Sequence, residues 1–299
     1  MPHAPHELGV EWPTTLVLLV VGLVYVRGWV LLRRDVPAAR HFRRLAAFAL
    51  GLAALWLALG SPLAALHHEL LSVHMVQHVL LMAVAPPLLL LGAPLEPLLR
   101  GIPGSAVEAA WQRLRRRESI RRIRAVVMHP VVCWLAPVAA LMSWHVPAVF
   151  ELAQHRPAWH AVQAASFLVT GLLFWAPVVR PSPSFTWPRW SIPLYLFTAT
   201  LPCDALSAFL VLCGRVVYPG HVSGPRVFDV SPLRDQELAG SFMWVAVTLI
   251  YLVPASAITL QLLSPTEPGP ARDAMPPERE EELRPGAVTD SQSRTFLSM

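Results

Sequence analysis

The sequence predicts an all-α integral membrane protein: a bundle of about seven transmembrane helices, N-terminus outside and C-terminus inside. Three observations carry this. The first is composition. Of 299 residues, 55% are hydrophobic and 14% charged, with a mean hydropathy of +0.49, well away from an ordinary soluble domain. The second is a set of seven apolar stretches, at 14–32, 45–60, 71–92, 125–144, 162–179, 193–212 and 238–263. Each is long enough, or nearly so, to cross about 30 Å of hydrocarbon as a helix. The third is a segregation of side chains: arginine collects at one end of these stretches and histidine at the other.

In lipid each stretch must be a helix, because an isolated strand would leave its backbone polar groups unpaired. The alternation of barrel strands is absent. The first stretch lacks a basic leading region and is followed by arginines, so it reads as a retained span and not a cleaved signal. The second is short and is expected to extend into its flanks. The third is expected to start early, with Ser61 as N-cap and Pro62 in the first turn, and to run unbroken past His67 to His78. Before the fourth comes a basic run at 111–124, with Leu114, Ile120 and Ile123 among its arginines. It reads as an amphipathic segment on anionic lipid headgroups, not as a nucleic-acid surface. The sixth carries Pro202 and Asp204, and a carboxylate inside a span is a functional candidate. The seventh opens with Asp235, Gln236 and Glu237. Three regions result: a short outer segment at 1–13, the membrane domain at 14–263, and a polar, disordered cytoplasmic tail at 264–299.

Orientation rests on arginine alone, since the chain has no lysine. Arg33, Arg34, Arg40, Arg43 and Arg44 lie between the first two spans. Arg100 and the cluster from Arg113 to Arg124 lie between the third and fourth, and Arg180 and Arg189 between the fifth and sixth. Positive residues mark the cytoplasmic side. On that topology His3, His6, His67, His68, His74, His78, His145, His155, His160 and His221 are outer, and only His41 and His129 are inner.

Imidazoles gathered at one membrane face point to a metal or a proton handled there. His74 and His78 are four apart and share a helical face, and Met82 roughly continues the stripe. His67 joins that face if the helix starts early. Met142 and His145 lie three apart at the outer end of the fourth span. The expected ligand set is therefore His74, His78, His145, Met142, Met82 and His67. Imidazole with thioether suits copper, and the soft sulfur favours Cu(I); a histidine pair four apart also suits zinc. Asp235 is expected to orient a histidine of this cluster or to cap its own helix, and Asp204 to relay a proton, to steady a cation or to bond a neighbouring helix. Cys133, Cys203 and Cys213 show no pairing pattern. No phosphate loop, nucleophile elbow or HExxH motif is present in the sequence, so catalytic turnover is not expected.

His74-Met75-Val76-Gln77-His78-Val79-Leu80-Leu81, followed by Ala85-Pro86-Pro87 and Gly92-Ala93-Pro94, resembles the signature of the CtaG family. Trp144-His145-Val146-Pro147, Gly171-Leu172-Leu173-Phe174-Trp175-Ala176-Pro177 and Asp235-Gln236-Glu237-Leu238-Ala239-Gly240 continue the likeness, which spans 45–263. The family comprises multi-span assembly factors for bacterial cytochrome c oxidases of the caa(3) type. The resemblance implies a non-enzymatic role in the cell membrane, delivering or transiently holding copper, as Cu(I), for the oxidase catalytic subunit. A copper donor on the outer side is an implied partner. The family pattern carries a second histidine four residues after His160, where this chain has Ala164, so His160 is left out of the expected set. Two other readings stand beside this one: a haem-binding membrane cytochrome or haem-handling protein, with axial histidines on facing helices, and a small transporter or proton conductor using Asp204.

Overall fold

The computed structural model describes residues 9–33, 37–180, 188, 190–219 and 229–264. His3, His6, His221 and the tail from 265 lie outside the described residues. The described residues form α-helices with no strand: α1 (Trp12–Leu31), α2 (Ala38–Leu59), α3 (Pro62–Ala65), α4 (Leu71–Val79), α5 (Ala85–Leu91), α6 (Leu95–Gly101), α7 (Ser105–Arg116), α8 (Glu118–Val127), α9 (Pro130–Trp144), α10 (Pro147–His155), α11 (Pro157–Val179), α12 (Ser191–Leu212) and α13 (Pro232–Leu263). Among the described residues, six helical segments are long and apolar enough to cross a membrane, and α8 with α9 makes a seventh if the bent pair counts as one span. The chain is a multi-pass membrane protein.

Two ends of the bundle emerge from the contacts. At one end Tyr25 Oη donates to Gly92 O at 2.7 Å and to Arg44 O at 3.3 Å, tying together the ends of α1, α2 and α5. His41 lies here too, its Nε2 3.0 Å from Trp29 O. At the other end Glu11 N donates to Gly60 O, so α1 starts where α2 ends. The histidine cluster occupies this second end, as the segregation of arginine and histidine anticipates.

The fourth span departs from expectation. It begins at Pro130, not at 125, because α8 is bent 64° away from α9. Pro130 lacks the N–H that would continue α8, and His129 caps the new start by accepting from Val131 N at 3.3 Å. The basic run is two helices broken at extended Arg117 (ψ 129°). Glu118 pairs with Arg122 at 3.1 Å on the exposed face.

The third span also departs. Ser61 does cap α3, accepting from Ala64 N, but the helix does not run on. It tightens into a 3₁₀ turn over Leu66–His68, and Leu70 is extended (φ −125°, ψ 121°) before α4 begins at Leu71. The reason lies far away in sequence. The buried carboxylate of Asp235 accepts from Leu71 N at 2.6 Å and from Ser72 N at 3.2 Å. It supplies from α13 the cap that starts α4. Further along, a π turn at Leu80–Val84 joins α4 to α5. Pro86 and Pro87 follow, and their rings would clash with the Met82 and Ala83 carbonyls of a regular α-turn; the wider π turn relieves this. Gly171 of α11 packs against the displaced Met82 carbonyl, where a Cβ would come within 2.6 Å.

Candidate functional site

Four segments bring six imidazoles together at the histidine end. The 3₁₀ turn carries His67 and His68, α4 carries His74 and His78, His145 terminates α9, and His160 lies in the first turn of α11. Ring centroids run in sequence through the cluster: His68–His67 3.7 Å, His67–His160 4.3 Å, His160–His74 6.0 Å, His74–His78 4.2 Å and His78–His145 5.6 Å. The row runs from an exposed end into the buried interior. His68 is exposed and His67 and His160 are half-buried, whereas His74, His78 and His145 are 0%, 4% and 6% exposed.

Aromatic rings close the deep part. Phe167 of α11 lies 4.4 Å from His78, and Phe150 of α10 lies 5.1 Å edge-on to His74. α10 is a short helix that folds back over the cluster. Its Gln154 Nε2 is 3.4 Å from His74 Nδ1. Tyr218 packs against Phe150 with ring centroids 4.1 Å apart and donates its hydroxyl to His145 O at 3.1 Å. Gln77, between the two α4 histidines, turns the other way and donates to Ala58 O and Ala64 O, fastening α4 to α2 and α3.

His78 lies buried in the middle of this part of the cluster. Neither ring nitrogen meets a partner at full hydrogen-bond geometry, and the polar side chain closest to making one is that of Gln163. His78, Gln163, His160 and Gln77 line a narrow cleft with no room for a water molecule. A metal ion held at bonds of about 2 Å needs no such void, whereas a bridging water does. Among the described residues no three His, Cys, Asp or Glu side chains converge on one point. Any ion held here takes fewer of these ligands, or a thioether in addition.

The expected ligands divide. His67, His74, His78 and His145 come together despite the break at Leu70, because the 3₁₀ turn swings His67 back to 6.1 Å from His74. Met142 does not join them: it faces outward, 38% exposed. Met82 is buried but lines a separate apolar cavity with Pro137, Leu141, Cys203 and Tyr251. The methionine that reaches the cluster is Met75, fully buried, its Sδ 3.5 Å from His145 Nε2. His160, left out on the family pattern, stacks on His67, a partner in another segment. Asp235 contacts the backbone that carries His74 and His78. Asp204 accepts from Thr248 Oγ1 of α13 at 3.3 Å, away from the cluster.

The sequence profile of the cytochrome c oxidase caa3 assembly factor family matches residues 23–264. This chain belongs to that family. The match takes in every residue of the imidazole cluster and the Asp235 cap. Among curated proteins, an uncharacterized protein of Mycobacterium bovis and one of Mycobacterium tuberculosis are each 27% identical over 252 residues, 82% of this chain. An uncharacterized protein of Mycobacterium leprae is 24% identical over 253 residues, 81% of this chain. The chain spans 37% of the length of each of these relatives. No solved structure matches.

Proposed function

We propose that this chain is an assembly factor that receives copper at the outer face of a bacterial cell membrane and passes it to the catalytic subunit of a haem–copper cytochrome c oxidase. One observation carries the reading: an unbroken row of six imidazoles from exposed His68 to buried His145. Neutral imidazole is a ligand for copper, and a row of sites with few donors each lets an ion move on instead of trapping it. His68 would meet an extracytoplasmic copper donor, and the deep histidines would hold Cu(I) transiently. A haem between facing histidines needs a slot for the macrocycle, whereas these rings abut one another. The family's role is assembly, and the proposed chemistry is ligand exchange without turnover.

The test removes the two histidines of α4. With His74→Ala/His78→Ala the protein should still accumulate in the membrane, and the oxidase polypeptides should be present. Oxidase activity should be lost, and copper per oxidase should fall below that of the wild type. Normal oxidase activity in the double variant would overturn the reading.

A further inference from the structure

Resting on the copper reading, we infer that the copper-holding site is the pair Met75 Sδ and His145 Nε2, with His78 as its third donor. His145 Nδ1 lies 2.7 Å from Leu141 O. A carbonyl oxygen only accepts, so Nδ1 carries the proton and Nε2 presents a lone pair. That lone pair faces Met75 Sδ at 3.5 Å, and a thioether has no proton to give. Two acceptors therefore oppose each other where His145 is 6% and Met75 0% exposed. A metal ion between the two acceptors satisfies both. An ion about 2.0 Å from the nitrogen and about 2.3 Å from the sulfur spans the 3.5 Å gap at a near-tetrahedral angle. That angle leaves room for further donors.

His78 is the third donor. Its ring centre is 5.6 Å from that of His145, and its buried nitrogens have no partner of hydrogen-bond geometry. The thioether sets the selectivity: sulfur without charge favours Cu(I) over Zn(II). The position sets the role, because Met75 and His145 lie at the deep end of the imidazole row. Tyr218 holds the His145 backbone carbonyl, and the Leu141 carbonyl holds the ring with Nε2 toward the sulfur.

The experiment titrates the detergent-purified full chain with Cu(I) against bicinchoninate under anaerobic conditions, followed by copper X-ray absorption. Wild type should bind Cu(I) with one sulfur neighbour at about 2.3 Å. The near-isosteric Met75→Leu should lose that sulfur signal and bind Cu(I) at least tenfold more weakly, with Zn(II) binding unchanged. Met142→Leu should match wild type in every measurement. Cu(I) bound by wild type through nitrogen alone, or a sulfur signal that survives in Met75→Leu, would overturn the pair while leaving the copper reading intact. No Cu(I) binding by wild type would overturn both.

Discussion

Asp235 accepts from Leu71 N and Ser72 N, two of the donors that the first turn of a helix leaves unpaired. Its neighbours in sequence bind other partners. Gln236 accepts from Val217 N at 2.7 Å and donates to Leu210 O and Arg215 O, and Glu237 pairs with Arg234 at 3.1 Å. Three consecutive side chains thus tie α13 to α4, to the end of α12 and to itself. Asp235→Ala leaves two donors unmatched, a loss of about 1–3 kcal/mol for a buried group. It should lower the thermal unfolding midpoint in detergent and weaken the proposed Cu(I) binding together. Asp235→Asn keeps an acceptor and should recover most of both. Equal loss in the two variants would show that the charge matters and the cap geometry does not. Among the histidines, His74 and His78 were legible from their spacing of four, and His145 from its depth. Met75 was not, because which methionine faces inward depends on where α9 lies around α4.

At the scale of elements, the short helices do the positioning. α10 lays Phe150 and Gln154 over His74, and at Gly171 α11 packs closely on the π turn and on Pro86 of α5. α6 is held against α1 by interlocked glycines. A Cβ on Gly28 would lie 1.8 Å from Pro97 O, and one on Gly101 1.9 Å from Val24 O. Backbone cannot yield as a side chain does, so Gly28→Ala must push α6 off α1. A loss at or above the usual overpacking range of about 1–3 kcal/mol is expected, read as a lower unfolding midpoint in detergent. Gly22→Ala on the same helix would meet only Leu52 Cδ1 at 3.4 Å and should leave the midpoint nearly unchanged. If both variants behave alike, α6 does not depend on this contact. Neither α6 nor α10 was expected, since each has under ten residues and lies between longer apolar runs.

For the whole molecule, the arginine asymmetry puts the histidine end outside. With Cys133, Cys203 and Cys213 replaced, a membrane-impermeant maleimide added from outside should label His68→Cys and leave Arg117→Cys unlabelled until the membrane is opened. The reverse pattern would invert the bundle and remove the proposed route from an outer copper donor. The proposed role of the imidazole row depends on this orientation, because its exposed end, at His68, is the one a donor would meet.

The spans and the separation of histidine from arginine were determined by the sequence alone. Both are matters of solvation: a run of apolar side chains crosses the bilayer whatever its neighbours, and arginine marks one face by its own charge. The family resemblance likewise rested on local blocks, and the profile match over 23–264 bears it out. Only the tertiary structure decided where α4 begins, which methionine meets the histidines, and that His160 belongs with them. Each depends on a pair remote in sequence: Asp235 with Leu71, 164 positions apart, His145 with Met75, 70 apart, and His160 with His67 across two segments. A helix has no signal of its own for a cap supplied by another helix, and the spacing of residues along one helix does not tell which face its neighbour will cover.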